Sequence, residues 1–159
     1  MTSLLRSILF FGVNTVLIYD KLITREKVES FSQIFNLGNN FDKLEQVSDN
    51  EVLLYFKNNN LKITQINHSK QLKYELFKSD YKKGNLEGIR ANGYGKVLDG
   101  SLLKFNNDVE KNQLINELSY ITLLSVQNSR FIEAEINIKN NLNEIIVTER
   151  GNIIKKLKK

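Results

Sequence analysis

With 159 residues, 41% of them hydrophobic and 26% charged, the chain has the makeup of a folded domain with a small appendage and not of a disordered polymer. It holds no cysteine, which excludes disulfides, thiolate metal sites and a cysteine nucleophile, and it holds no proline. The net charge of +5 admits anionic partners, but positive residues are spread along the chain except in "KKLKK", Lys155–Lys159. That run reads as a solvated tail, so nucleic acid is not an expected partner.

The first predicted element is a helix over "LLRSILFFGVNTVLIYDKLI", Leu4 to Ile23. A helix of that length rises about 30 Å, enough to cross the hydrocarbon core of a bilayer. Its uninterrupted part, Ser7 to Tyr19 with Asn14 in the middle, also has the length of a signal-peptide core. No small-x-small cleavage site follows, so an uncleaved membrane anchor is expected, with a buried globular helix as the alternative. Arg6 precedes the run while Lys21, Arg25 and Lys27 follow it, which leaves the direction of insertion open.

From Thr24 to Leu37, Val28, Phe31, Ile34, Phe35 and Leu37 recur at helical spacing, with Thr24 as cap and Gly38 as stop. The expected organisation is an anchor and helical extension over residues 1–37, a linker over 38–50 and a β domain over 51–159.

After Asn50 the period changes. "EVLLYF" (Glu51–Phe56), "LKITQI" (Leu61–Ile66) and "LKYELFKS" (Leu72–Ser79) are short, rich in β-branched and aromatic residues, and closed by turn chemistry. Further strands are predicted in "LEGIRANGYGKVL", "SLLKF", "LSYITLLSV", "RFIEAEINI", "NEIIVTE" and "IIKKL". Alternation is clearest where Ile132, Ala134, Ile136 and Ile138 oppose Glu133, Glu135 and Asn137. Strands at hairpin spacing, with no helices between them, predict an all-β domain: an antiparallel sheet pair or a rolled, jellyroll-like sheet.

The glycine-rich stretch "GIRANGYGKVLDGSLLKFNNDVEK", Gly88–Lys111, tests for a phosphate loop and fails. "GYGK" lacks the following Ser or Thr, and no GxGxxG spacing or βαβ context is present. It reads instead as a bent strand around Gly93 and Gly95, an Asp99–Gly100 hairpin turn and a second strand. The single histidine, His68, sits in a turn-like "NHSK" and cannot supply a metal site without convergent carboxylates. Glu133 and Glu135 are explained by a solvated strand face. No nucleophile motif appears, so no enzyme, no metal and no cofactor are expected.

The segments "IRANGYGKVLDGSLLKFNNDVEK" and "LSYITLLSVQNSRFIEAEINI", with the N-terminal apolar run before them, resemble the LptC-like and OstA-like β-jellyroll proteins of lipopolysaccharide export. Both segments look like that family's loose repeat of an Ala-containing strand, a turn and an apolar strand. Asn107 stands where the repeat usually has glycine before Asp108. The resemblance implies a membrane-anchored bridge in the inner membrane, single-pass, with its β domain in the periplasm. It implies an inner-membrane ABC transporter and a periplasmic jellyroll protein as partners, and lipopolysaccharide as cargo passed by edge-to-edge strand pairing.

Candidate lipid-facing residues, chosen by alternation, are Ile63, Leu76, Ile89, Ala91, Leu103, Phe105, Leu123, Ile136, Ile138 and Val147. Candidate partner edges are the strand of Val52, Leu54 and Phe56, and the C-terminal strand carrying Ile145, Val147 and Ile153. The competing expectation is a structural subunit of a membrane complex whose β domain binds protein and no lipid.

Overall fold

The computed structural model describes residues 3–11, 14–25, 30–66, 72–91, 93–94, 96–108, 117–127, 136–140, 144–149 and 152–158. Over the described residues the protein is all-β: 14 strands in antiparallel sheets, with one short 3-10 turn over Tyr81–Lys83.

The chain begins with strands where a membrane helix was expected. β1 (Ser3–Phe11) and β2 (Thr15–Ile23) form a hairpin in continuous register from Ser3↔Ile23 to Phe11↔Thr15. The hairpin is built into the larger sheet, because β2 pairs along its length with β11 (Glu117–Gln127). No helix among the described residues is long and apolar enough to cross a membrane. The expected helical extension is β3 (Ser30–Leu37), and the expected linker contains β4 (Lys43–Ser48). Strands β1 to β4, all from before Asn50, therefore belong to two sheets that strands from after Asn50 complete.

Two sheets face each other. The larger has the order β1-β2-β11-β6-β5-β4, where β5 is Glu51–Tyr55 and β6 is Asn60–Gln65. The smaller has the order β3-β10-β7, where β7 is Leu72–Lys78 and β10 is Ser101–Asp108. The two small-sheet registers meet at β10, for example Phe105↔Gln33 and Phe105↔Tyr74.

Alternation fixes which side chains meet between the sheets. Val52, Leu54, Ile63 and Tyr120 from the large sheet and Leu103 and Phe105 from the small one form a core exposed by no more than 1% at any of them. Phe35 meets Phe105 edge-on at 6.1 Å between centroids, and Phe31 lies 5.1 Å from Tyr120. The Tyr120 hydroxyl is held by the carbonyls of Phe31 and Phe105, so it stitches β11 to two strands opposite. Leu17, Tyr19 and Ile121 point the other way and build a second buried cluster on the far face of the large sheet, with Leu9, Phe11, Ile66 and Leu123 against it.

β8 (Arg90–Ala91) and β9 (Val97–Leu98) make a two-residue-per-strand hairpin whose tip carries the fully exposed Tyr94. β9 does not pair with β10, so Asp99–Gly100 is a crossing and not the expected hairpin turn. The crossing is tied to the end of β7: the Gly100 N–H donates to Ser79 Oγ at 2.6 Å, and Ser79 N–H donates to the Gly100 carbonyl at 3.0 Å. A Cβ at Gly100 would lie 2.2 Å from the Gly88 carbonyl oxygen, a backbone atom that cannot swing away. Gly88 itself has φ +86°, a left-handed conformation that glycine adopts without steric cost. Gly100→Ala is expected to lower stability by about 1–3 kcal/mol through this clash, measurable as a lower urea midpoint with an unchanged slope.

A third sheet, β12-β13-β14, is a meander of Ile136–Asn140, Glu144–Glu149 and Asn152–Lys158, with a bulge between Val147 and Thr148. The C-terminal edge expected over Ile145–Ile154 thus spans two strands folded on each other, β13 and β14, which the separate runs "NEIIVTE" and "IIKKL" mark in the sequence.

Candidate functional site

The two facing sheets differ in width, and the mismatch creates the most distinctive surface of the described residues. β3 lies over β2, β11 and β6, because Gln33 on β3 bonds Asp20 on β2, Thr122 on β11 and Gln65 on β6. Residues of β4 and β7 together line the opposite end. Among the described residues β1 has no strand above it. Its inward-facing residues alternate as Leu4, Arg6, Ile8 and Phe10, and Leu4, Ile8 and Phe10 are 62%, 50% and 78% exposed. In a closed sandwich these positions would be core.

The stripe runs into a groove of about 280 Å³ lined by Phe10, Asn14, Thr15, Val16, Leu61, Leu124 and Val126. The lining is mainly aliphatic, and Asn14 is held at its rim by the Val126 main chain: Val126 N–H donates to the Asn14 carbonyl at 2.8 Å, and Asn14 Nδ2 donates to the Val126 carbonyl at 3.3 Å.

Beside the groove, a chain of polar side chains crosses the interior. Arg6 donates to Asp20 through Nε at 2.6 Å and Nη2 at 2.7 Å. Gln33 Nε2 donates to Asp20 Oδ2 at 2.9 Å, and Gln65 Nε2 donates to Gln33 Oε1 at 2.7 Å. Thr122 Oγ1 lies 2.6 Å from Gln33 Oε1 and 3.1 Å from Gln65 Oε1, so its proton is shared between two acceptors. Asp20, Gln33, Gln65 and Thr122 are all buried, whereas the Arg6 side chain is half exposed. The bonds to Asp20 raise the Arg6 pKa, chiefly through the direct hydrogen bond. The network runs from Arg6 within the β1 stripe, across β2 and β11, to Gln65 on β6.

The opposite end of the sandwich holds a wider, more polar cleft of about 470 Å³ that includes Phe41, Lys43, Leu44, Leu76, Lys78 and Asp99. Two of its carboxylates, Asp80 and Asp99, are committed to local structure. Asp80 caps the 3-10 turn and pairs with Lys83 at 3.1 Å, and Asp99 accepts from Tyr81 N–H at 2.9 Å. On the outer face nearby, Lys43 pairs with Glu45 at 2.7 Å and Tyr55 donates to the same carboxylate at 3.1 Å. Lys43 holds the Glu45 pKa below its ordinary value, and Glu45 raises that of Lys43. Among the described residues no group of three or more His, Asp or Glu side chains could hold a metal.

The residues expected to face lipid are dispersed. Ile63, Leu103 and Phe105 sit in the closed core, with no opening to solvent. Leu76 lines the polar cleft, Leu123 belongs to the far face, Ile89 is half-buried before β8 and Ala91 is exposed on β8. Ile136 and Ile138 lie on β12 and Val147 on β13, with their side chains outside the described residues.

The expected edge at Val52, Leu54 and Phe56 is also corrected. β5 pairs with β4 on one side and β6 on the other, Val52 and Leu54 are core, and Phe56 stacks edge-on with Phe41. Ile145 and Val147 are on β13, the central strand of its sheet, while Ile153 is on β14, an outer strand. His68, Glu133 and Glu135 lie outside the described residues.

The β1 stripe was missed because the apolar run was read as one helix. The signal that could have found it is the turn-like "GVN", Gly12 to Asn14, which divides the run into two halves of strand length. Comparison with protein-family models, curated proteins and solved structures returned no match.

Proposed function

We propose that this chain is a non-enzymatic lipid-handling protein whose open sandwich, a roll of the jellyroll kind, shelters the acyl part of an amphiphile on the inner face of β1 and β2. The observation that carries this reading is the uncovered stripe of Leu4, Ile8 and Phe10 leading into the groove between Val16, Leu61 and Leu124. Apolar side chains ordinarily turned into a core are here presented to a ligand, and a groove lined this way holds alkyl chains with no polar catalytic group. Lipopolysaccharide is the cargo that the family likeness implies, with an ABC transporter and a periplasmic jellyroll protein as its source and recipient. In this reading the protein works at the periplasmic face of the inner membrane, and the β1–β2 hairpin, not a helix, meets the lipid.

The test is photocrosslinking in cells. A benzophenone side chain at Phe10 is expected to capture lipopolysaccharide, and the same group at Phe105 is expected to capture none. Lipid adducts absent at Leu4, Ile8 and Phe10 alike would sink the reading. Protein adducts alone at those positions would support the second reading, an assembly subunit that binds only protein. That reading is favoured by one observation: β1 and β3 both end their sheets on the same side of the sandwich.

A further inference from the structure

We propose that β1 is also the seat of a two-fold dimer, in which it pairs antiparallel with β1 of a second copy of this chain. The inference concerns the edge of the strand and its main chain, and it stands whether or not the inner face carries lipid.

β1 is an outer strand of the large sheet, so one side of its nine-residue ladder has no neighbouring strand among the described residues. Outer strands are commonly shielded from pairing by charge, by bulges or by shortness. The other end of the same sheet follows that rule: β4 carries Lys43 and Glu45 and has a register shift between Gln46 and Ser48. β1 has none of these guards. It is long, its pairing with β2 is unbroken, and its single charge, Arg6, is already matched by Asp20.

The strand is self-complementary about Ser7. An axis through Ser7 and perpendicular to the sheet places Arg6 opposite Ile8 of the second copy, Leu5 opposite Leu9 and Leu4 opposite Phe10. Residues directly opposite in an antiparallel pair share a face, so the inner stripe of one copy continues into that of the other. No like charges stand directly opposite. Phe10 and Leu4, the two most exposed apolar side chains of the strand, stand side by side across the axis. Side-by-side pairing covers the flank of each Phe10 and leaves its inner-facing surface open, so the aromatic share is a fraction of the roughly 150 Å² that such a side chain can bury. Stable specific interfaces begin near 1,200 Å² in total, and Leu4, Leu5, Ile8 and two lengths of main chain add to the aromatic share.

If the lipid reading also holds, pairing sets the two stripes side by side as the floor of one trough between the two β3 strands.

The experiment exploits the absence of cysteine from the natural sequence. Ser7→Cys places one thiol on each side of the axis. Opposed residues of an antiparallel pair have Cα atoms about 4.5–5.5 Å apart, within the span a disulfide bridges. The full chain with Ser7→Cys is expected to form a covalent dimer under mild oxidation, whereas Val47→Cys on β4 is expected to stay monomeric. Sedimentation of the unsubstituted protein is expected to show a concentration-dependent monomer–dimer equilibrium. Ile8→Lys with Phe10→Lys is expected to weaken it at least about tenfold, with an unchanged circular dichroism spectrum because both side chains are exposed. A monomer at every concentration, open-ended polymers, or cross-linking at Val47 instead of Ser7 would each overturn the proposal.

Discussion

Replacing Phe105 with alanine is expected to lower the free energy of unfolding by about 3–5 kcal/mol, while Phe10→Ala is expected to change it by no more than about 0.5 kcal/mol. Both residues are phenylalanines on alternating strands, and hydropathy alone ranks them equally. They differ in what lies opposite. Phe105 has no exposed surface, meets Phe35 edge-on and packs among Leu103, Ile63 and Tyr120. Removing its ring leaves a cavity bounded by two sheets that hydrogen bonding holds apart, so collapse is limited and the cost is high. Phe10 is 78% exposed, and water already occupies most of the space its ring would vacate. Urea denaturation of the two variants beside the unsubstituted protein reads the contrast directly. A loss below about 1 kcal/mol for Phe105→Ala would mean that its surroundings are loosely filled. In that event the middle of the sandwich, and not its β1 side, would be the place to look for a ligand.

The contrast also marks how much of this fold was legible in the sequence. Glu51–Phe56, Leu61–Ile66 and Leu72–Ser79 were readable as strands because apolar and polar residues alternate between runs of turn residues, and β5, β6 and β7 fall on them to within one or two residues. The N-terminal run was not readable in that way. β2 is buried on both faces, with Leu17 and Tyr19 on one side and Asp20 on the other. A strand buried on both faces shows no alternation, and its composition matches that of a membrane helix.

β3 was hidden for a different reason. Its inward face is Phe31, Gln33, Phe35 and Leu37, and the glutamine at a core position breaks the alternation just where it would have been diagnostic. What remains, Phe31, Ile34, Phe35 and Leu37, mimics a helical stripe. The same glutamine explains why the candidate site was invisible. The residues that meet Gln33 are Asp20, Gln65 and Thr122, brought together by strand order and by no local spacing. Ile63 and Phe105, expected to face lipid, point into the closed core, and whether an inward position is sealed or open depends on the width of the opposing sheet. Pairing partners decide that width, and alternation carries no information about them.

The buried polar chain yields the last expectation. Asp20→Ala removes the acceptor shared by Arg6 and Gln33. The Gln33 amide, 2% exposed, then has a donor with no acceptor in the core, a loss of about 1–3 kcal/mol. The two bonds from Arg6 are partly recovered from water, because half of that side chain is already solvated. A net loss of about 2–4 kcal/mol follows. A chain in which Asp20→Leu, Gln33→Leu, Gln65→Leu and Thr122→Val are combined is expected to behave oppositely, unfolding within about 1 kcal/mol of the unsubstituted protein or at higher urea. Satisfied buried polar groups gain little over well-packed apolar ones of similar volume, and the large penalty comes from breaking a network in half. The network then contributes registry more than stability. A two-residue slip of β3 keeps the same face inward and moves Phe31 or Phe35 to the place of Gln33. Apolar packing alone penalises that exchange far less than a one-residue slip, which would turn Phe31, Phe35 and Leu37 out of the core. With Asp20, Gln65 and Thr122 waiting opposite, the slip strands three buried polar groups at once. The four-fold apolar variant is therefore expected to keep its stability while its amide NMR spectrum shows doubled or broadened resonances along β3. A single sharp set of resonances there would show that packing alone fixes the register.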